Sequence, residues 1–427
     1  MSVFTRGTAS RSRMRSVIGG LAIAGVSALV LAGCSGGGTG TTDPSESASA
    51  PAAEDLTLKV GTVLPQTGSL AFLGPPEEAG VQLAVNEVNE AAAGITVDVT
   101  FGDSGDADNK AFETTVPMLQ SEGVSAMIGA ASSGVTKLFL DSNVSEGIIT
   151  FSPANTSPDF TTWDDNGLYW RTAPSDLLQG EVLGNLIAED GHKNIAILYQ
   201  NDAYGTGLYG VVKEVFEASG GTVVAEASYN DGDASFDAQV ATISASNPDA
   251  IVLITFDQFA TIAPLLVNAG QTAENFYLVD GNLKQWGADV AVSLEGAKGT
   301  TPGPVLADDF QQRLNDAWTA EGNTDLEDFS YAAESYDAVV LLALAALAAG
   351  STEPADMAEF LQEVSGGSGD GETCESFADC AEIINGGGVA DYDGYSGGVA
   401  FDENGDPTEA TIGVFQFGAD NMHTRIN

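Results

Sequence analysis

Short apolar runs alternate with longer segments of helical apolar spacing along most of the chain. The predicted elements of the first half are strands at 56–64, 95–101, 124–129 and 148–151 and helices at 75–92, 109–122 and 135–144. Those of the second half are strands at 194–200, 222–229, 250–256 and 275–279 and helices at 175–190, 205–219, 236–246 and 258–269. Such alternation is typical of βαβ units in a doubly wound α/β sheet, and two series of units predict two lobes.

A turn of small residues lies inside the stretch 124–158. Ser132 and Ser133 stand at the start of its predicted helix, directly after an apolar strand. A helix start has unpaired N–H groups and a partial positive charge, and ligands of open α/β sheets bind at the carboxyl ends of the strands. The turn therefore predicts a site for a carboxylate or phosphate. The alternative interpretation is that residues 132–134 only cap the helix.

The first 33 residues have the pattern of an export signal. A basic segment with four arginines precedes an apolar run at 17–30, which is too short for a membrane-spanning helix. The tetrad Leu31-Ala32-Gly33-Cys34 resembles the lipobox of bacterial lipoproteins, which implies lipidation of Cys34. An ordinary signal with a chance cysteine is the alternative. The tract 34–55 is rich in Gly, Ser and Thr, as expected for a flexible tether between membrane and folded domain.

Composition limits the choice of partner. After Cys34 the chain keeps ten basic and 61 acidic residues, a formal charge of −51. A surface this acidic repels nucleic acid and anionic lipid headgroups, so no nucleic-acid partner is expected. An anionic ligand would need local hydrogen-bond donors, because the overall field opposes its approach.

The remaining cysteines, Cys374 and Cys380, are expected to form a disulfide in an oxidising compartment. The alternative is a metal pair, which lacks nearby histidines. The segment 391–406 is acidic and rich in glycine but lacks the spacing of an EF-hand calcium loop, so turns are preferred. The apolar run 338–349 is shorter than a membrane span and predicts a buried core helix. We expect no metal and no cofactor.

Eight segments follow one another at family spacing: VGTVLPQTGSLAFLG, AGVQLAVNEVN, MIGAASSGVT, TFSPANTSPDF, WRTAPSD, IAILYQNDAYGTGL, YLVDGN and YAAESYDAVVLLALA. Together they resemble the type I solute-binding proteins of the branched-chain amino acid ABC-transporter class, over residues 56–427. The resemblance implies a monomer with two Rossmann-like α/β lobes joined by a three-crossing hinge. It divides the chain into a first lobe at 56–172 and 303–402 and a second at 173–302 and 403–427.

The resemblance also implies a ligand site. The serine turn would hold a ligand carboxylate with Ser132 and Ser133, and the next turn would contact carboxylate and ammonium. The aromatic and acidic contacts would come from the second lobe, and the side-chain pocket would be bounded by both lobes. The residues so implied, besides the two serines, are Asn155, Thr156, Tyr204, Asp280, Phe72, Leu73, Phe256 and Asp257.

Three of these assignments have alternatives. The family's usual acid lies one step beyond Asp280, where this chain has Gly281, so Asp280 is alternatively a helix cap or turn acid. Tyr204 and Phe256 are alternatively ordinary core residues.

The function implied is that of a lipid-anchored binding component of an ABC importer on the extracytoplasmic face of the membrane. It would bind a small amino acid, branched-chain or otherwise apolar, and deliver it to a permease. Alternatives are urea, an amide or an aromatic acid as ligand, or a ligand sensor of the same fold. An enzyme is disfavoured, because His192 and His423 lack a nucleophile or metal-ligand neighbour in the sequence.

Overall fold

The computed structural model describes residues 55–427. The predicted signal at 1–33, Cys34 and all but the last residue of the tether lie outside the described residues.

The first lobe contains a parallel sheet with helices on its faces. Its elements are β1 (Leu56–Val63), α1 (Gly74–Ala91), β2 (Ile95–Thr100), α2 (Phe112–Glu122), β3 (Ala126–Gly129), α3 (Ser133–Glu146), β4 (Ile149–Ser152) and β5 (Tyr169–Arg171). The strand order is β2-β1-β3-β4-β5, and all neighbours are parallel. The carboxyl ends of β1, β3 and β4 therefore lie along one edge, next to the serine turn that follows β3.

The second lobe repeats this arrangement. Its elements are α4 (Asp176–Glu189), β6 (Asn194–Gln200), α5 (Ala203–Ala218), β7 (Thr222–Tyr229), α6 (Asp237–Ala245), β8 (Ala250–Ile254), α7 (Phe259–Asn268), β9 (Phe276–Leu278) and β10 (Lys298–Pro302). Every residue of β8 is buried, as expected for a strand covered by helices on both faces.

After β10 the chain returns to the first lobe. This part contains α8 (Asp308–Ala320), α9 (Ala332–Ala349), α10 (Pro354–Val364), β11 (Glu372–Cys374), α11 (Phe377–Asn385), β12 (Ala390–Gly394) and β13 (Gly397–Gly398). Helix α9 packs against α1 and α10 and belongs to the first hydrophobic core. It is the one described helix that is long and apolar enough to cross a membrane, yet 83% of it is buried inside the domain. It is the core helix that the sequence predicts.

Two antiparallel strands, β14 (Ile412–Phe417) and β15 (His423–Arg425), complete the second sheet. Its order is β15-β14-β10-β9-β8-β6-β7. The chain passes between the sheets three times, after β5, after β10 and after β13, so the predicted class of two doubly wound lobes with a three-crossing hinge is confirmed. The lobe boundaries near 172, 302 and 402 stay a prediction.

A buried ion pair connects β5 to the third connection. The Arg171 guanidinium has no exposed surface and donates to both carboxylate oxygens of Asp406, with Nε–Oδ1 2.6 Å and Nη2–Oδ2 2.9 Å. Its Nη1 donates to the backbone carbonyls of Asn155 and Ser157. The guanidinium thus ties the turn after β4 to the third connection by charged hydrogen bonds in two directions.

The predicted disulfide is formed between Cys374 and Cys380, at the end of β11 and inside α11.

Helix α2 begins at Phe112, three residues later than predicted, and no side chain caps it. The reason lies in the preceding loop, where the Asp106 carboxylate accepts N–H groups of Asp108 and Asn109. Lys110 then takes a left-handed conformation that delays the helix.

Candidate functional site

A small cavity lies between the lobes at the carboxyl edges of both sheets, and we name it the interlobe cavity. It is lined by Leu70, Leu73, Ala131, Ser132, Ser133, Ala154, Tyr204, Phe256, Asp280, Gly281 and Tyr331. Its volume is about 10 Å³, on the scale of a single water molecule. The lobes are therefore closed around a nearly filled space.

The serine turn forms one wall of the interlobe cavity. Ser132 is the N-cap of α3, because its Oγ accepts the N–H of Val135 at 3.3 Å. The capping interpretation is thus present in the structure, and the same residue also lines the cavity. Ser133 Oγ accepts the N–H of Ser157 at 3.3 Å, which joins the two polar turns. Because α3 begins here, the wall combines two hydroxyls with the positive end of a helix.

Asp280 lies on the second lobe and is 7% exposed. Its Oδ1 accepts from Tyr204 Oη at 2.6 Å and from Gln179 Nε2 at 3.0 Å. Its Oδ2 accepts from Tyr331 Oη at 2.8 Å. Burial raises the pKa of this carboxyl, and the hydrogen bonds from Tyr204, Tyr331 and Gln179 act in the opposite direction. Burial therefore outweighs the three neutral donors, which only partly stabilise the ionised form of Asp280.

Position 281 has little room for a side chain in this structure. A Cβ added at Gly281 would come within 2.7 Å of the Phe256 ring, so a side chain there would displace that ring. Phe256 in turn stacks on Tyr204, with ring centroids 5.5 Å apart. The aromatic pair and a side chain at 281 compete for the same space.

Tyr331 is a cavity residue that the sequence analysis did not single out. It precedes α9 in a left-handed conformation with φ of 60°, and it is buried. Burial and the adjacent Asp280 raise the pKa of its hydroxyl, which keeps it a donor. The segment YAAESYD was the only signal for this position, and nothing in it distinguishes this tyrosine from a core residue.

Asn155 and Thr156 do not line the interlobe cavity. The Asn155 amide donates to the carbonyls of Ala130 and Ala131 at 2.9 Å and accepts from Tyr169 Oη. Thr156 Oγ1 donates to Asp176 Oδ2 at 3.0 Å. Both side chains are fully engaged within the protein, and Asn155 holds the serine turn in place.

Of the four remaining predicted residues, two line the interlobe cavity and two do not. Leu73 and Phe256 line the cavity. Phe72 lies outside it, with its ring 6.0 Å from Lys284 Nζ, and Asp257 is exposed. The backbone N–H of Asp257 nevertheless donates to the Ser69 carbonyl of the first lobe, so this residue contributes to closure.

The cavity thus has hydroxyl and helix-start donors on one wall, a carboxylate on the other, and apolar side chains between them. This arrangement suits a small zwitterion, because opposite ends of the ligand need opposite partners. Within residues 55–427 no group of three or more His, Cys, Asp or Glu is placed to bind a metal ion.

Comparison with known proteins gives a consistent result. A family model described as "Periplasmic binding protein" matches residues 57–374. The leucine-, isoleucine-, valine-, threonine- and alanine-binding protein of Pseudomonas aeruginosa is 27% identical over 313 residues, 72% of this chain and 82% of that protein. The chemotactic signal transduction system substrate-binding protein BasB of Halobacterium salinarum is 26% identical over 362 residues, 80% of this chain and 83% of that protein.

Two solved structures share the fold. The leucine-binding protein LivK of Thermotoga maritima aligns with a TM-score of 0.68 and 21% identity, over 87% of this chain and 98% of that one. A solute-binding protein of R. palustris in complex with benzoate aligns with a TM-score of 0.66 and 20% identity, over 87% and 96%.

Proposed function

The chain belongs to the periplasmic binding protein family, and from this premise we propose that it captures an amino acid between its lobes for an ABC importer. The observation that supports this proposal best is the position of Asp280 opposite the Ser132–Ser133 turn in one interlobe cavity. Relatives named as leucine-, isoleucine- and valine-binding proteins agree with an amino acid ligand.

In the proposed binding mode the ligand carboxylate accepts from the serine hydroxyls and the first N–H groups of α3. The ligand ammonium donates to the Asp280 carboxylate. Each hydrogen bond to a charged group contributes on the order of 1.5–3 kcal/mol. Closure excludes water and strengthens these bonds, because the local dielectric constant falls.

Closure itself is supported by direct bonds between the lobes. Tyr331 Oη reaches Asp280, and Ser157 Oγ donates to the Ala203 carbonyl at 2.9 Å. A ligand that bridges the same walls would bind the closed form more tightly than the open one, and so would shift the population toward closure. Since the cavity of this structure is smaller than any amino acid, the ligand would enter through the open form, and the ligand-bound lobes would close less far than they do here.

Leu70, Leu73 and Phe256 form the apolar part of the wall. They fit the sequence-based expectation of a branched-chain or other apolar amino acid, and equally the aliphatic first part of a longer side chain. The family and the named relatives are binding proteins, which agrees with a binding role for this chain.

Export, a lipid anchor at Cys34, delivery to a membrane permease and a monomeric state complete the proposal. The support is the lipobox-like tetrad, the polar tract 34–55 and the family to which the chain belongs. A chemotactic relative and a benzoate-bound fold relative support two alternatives, a ligand sensor and a carrier of aromatic acids.

A thermal-shift screen followed by calorimetry tests the proposal. The twenty amino acids, urea, acetamide and benzoate are added separately, and stabilisation scales with ligand concentration over Kd. We expect a clear rise in melting temperature with at least one amino acid. A response to urea or benzoate alone would overturn the amino acid proposal, and turnover of a bound compound detected by NMR would overturn the binding-only role.

A further inference from the structure

The loop that follows β1 reaches from the first lobe to the second, and we name residues 65–73 the closing loop. The carbonyl of Ser69 in this loop accepts the N–H of Asp257 from the second lobe at 3.3 Å. Leu70 and Leu73 of the same loop line the interlobe cavity. The closing loop therefore forms part of the cavity wall and also contributes to the contact between the lobes.

Lys284 of the second lobe lies beside the closing loop. Its Nζ is 6.0 Å from the centroid of the Phe72 ring in that loop. The same Nζ is 4.3 Å from the centroid of the Trp286 ring in its own lobe. The first distance is at the outer limit at which an ammonium is attracted to the face of an aromatic ring, and the second is well within it. Lys284 thus contacts one aromatic ring of each lobe.

The two ring contacts of Lys284 differ in what they require. Trp286 is 2% exposed, its Nε1 donates to the carbonyl of Asn282 at 2.9 Å, and its ring packs on Phe259 with centroids 5.0 Å apart. These contacts lie within the second lobe, so the tryptophan stays in place when the lobes open. The contact of Lys284 with Phe72 joins the two lobes and exists only when they are closed.

The ammonium of Lys284 is only weakly paired with an acid. Within residues 55–427 its one ion pair is with Asp289, at 3.9 Å, and the Asp289 side chain is 73% exposed. A pair this long and this exposed contributes little, because solvent screens it. The Lys284 side chain itself is 24% exposed, so its charge remains available to the two rings.

We propose that Lys284 positions Phe72, and with it the closing loop, over the interlobe cavity, and so raises ligand affinity without touching the ligand. The inference rests on the proposed function and gives Phe72 a role in closure in place of the ligand contact that the sequence predicts. Neither residue lines the interlobe cavity, so their effect on the ligand passes through the closed form. A contact of this kind changes the ratio of closed to open protein by about two- to fivefold, and the apparent Kd by up to the same factor.

A double-mutant cycle on ligand affinity tests the proposal. Calorimetry measures the Kd of whichever of the twenty amino acids raises the melting temperature of the parent protein most. The variants are Lys284→Met, which removes the charge and keeps an apolar stem, Phe72→Leu, and the two combined. Lys284→Arg keeps a cation beside both rings and serves as the conservative replacement.

A matched control cycle uses Lys213 and Tyr209 on α5. The Lys213 Nζ is 5.7 Å from the centroid of the Tyr209 ring, and both residues belong to one helix of the second lobe. Closure does not alter this contact. Lys213→Met, Tyr209→Leu and their combination should therefore leave the Kd unchanged.

We expect Lys284→Met and Phe72→Leu each to raise the Kd about threefold, and the double variant to raise it by about the same factor and not by the product. Stopped-flow measurements should assign the change to faster dissociation, because the contact forms only on closure. Lys284→Arg should keep the Kd of the parent.

Two results would overturn the inference and leave the proposed function intact. One is a Kd of the double variant equal to the product of the single effects, and the other is an unchanged Kd in Lys284→Met. Failure of every amino acid to bind would overturn both the inference and the proposed function. Where Phe72→Leu does not fold, position 284 decides alone, since the proposal requires a loss in Lys284→Met that is absent in Lys284→Arg.

Discussion

The hydroxyl of Tyr331 donates a 2.8 Å hydrogen bond to Oδ2 of Asp280 across the boundary between the two lobes. The tyrosine precedes α9 in the first lobe, and the aspartate follows β9 in the second. The contact therefore exists only when the lobes are closed. The acid that we propose to bind the ligand ammonium thus also forms a hydrogen bond that depends on closure.

Replacing Tyr331 by Phe should weaken amino acid binding. The closed form loses a hydrogen bond to a charged group, the open form loses nothing, and a smaller closed population raises the apparent Kd. We expect about a tenfold loss of affinity by calorimetry. Tyr395→Phe, which removes an acceptor for Arg313 far from the cleft, is the matched control. Unchanged affinity in Tyr331→Phe would show that this bond does not contribute to closure.

Glu334 gives a prediction about pH. Its side chain is 4% exposed in the first turn of α9, and burial raises its pKa from 4.5 to about 8, with a further contribution from Asp337. The folded protein keeps a proton between these values that the unfolded chain has released. The free energy of unfolding is therefore not reduced by Glu334 below pH 4.5. It falls as pH rises from 4.5 toward 8, by up to about 1.4 kcal/mol per pH unit.

Glu334→Gln should remove that dependence, because the amide stays neutral. The free energy of unfolding of the variant, measured in urea between pH 4.5 and 8, should rise steadily relative to the parent. Glu359→Gln on the exposed face of α10 controls for charge removal. A constant difference between Glu334→Gln and the parent across this range would contradict the prediction.

The Arg171–Asp406 pair should matter more for stability than any surface pair. Arg171→Leu leaves the Asp406 carboxylate without its partner and should lower the free energy of unfolding by about 3–5 kcal/mol. Adding Asp406→Asn to this variant should recover part of the loss, since it removes the uncompensated charge. Lys110→Ala, at an exposed pair 3.9 Å long, should cost less than about 1 kcal/mol. Similar losses at both sites would refute this ranking.

The alternation of strands and helices could be predicted because positions that face the core are apolar, and their spacing differs between strands and helices. The run at 250–256, for example, contains β8, in which every residue is buried. Helices α8, α10 and α11 fall outside the predicted alternation. Helix α8 buries only Phe310, Leu314 and Ala317 among polar residues, so its apolar stripe is too narrow to stand out.

The candidate site was predictable where one local segment supplies it. Ser132 and Ser133 stand at a helix start directly after a strand, and both line the cavity. Tyr331 was not predictable, since its contact with Asp280 joins residues 51 positions apart through closure of the lobes. For Asn155 the sequence suggested a ligand contact that the structure does not contain. Its amide donates instead to the carbonyls of Ala130 and Ala131.

We propose that Asp280 binds the ammonium of a zwitterion that the serine turn holds at its other end. The most direct test is calorimetry with the tightest-binding amino acid and the same acid lacking its α-amino group, on the parent protein, on Asp280→Asn and on the remote control Asp98→Asn. We predict that the parent and the control prefer the amino acid by about tenfold or more, and that Asp280→Asn loses this preference. Equal binding of the two ligands by the parent protein, or an undiminished preference in Asp280→Asn, would contradict the claim.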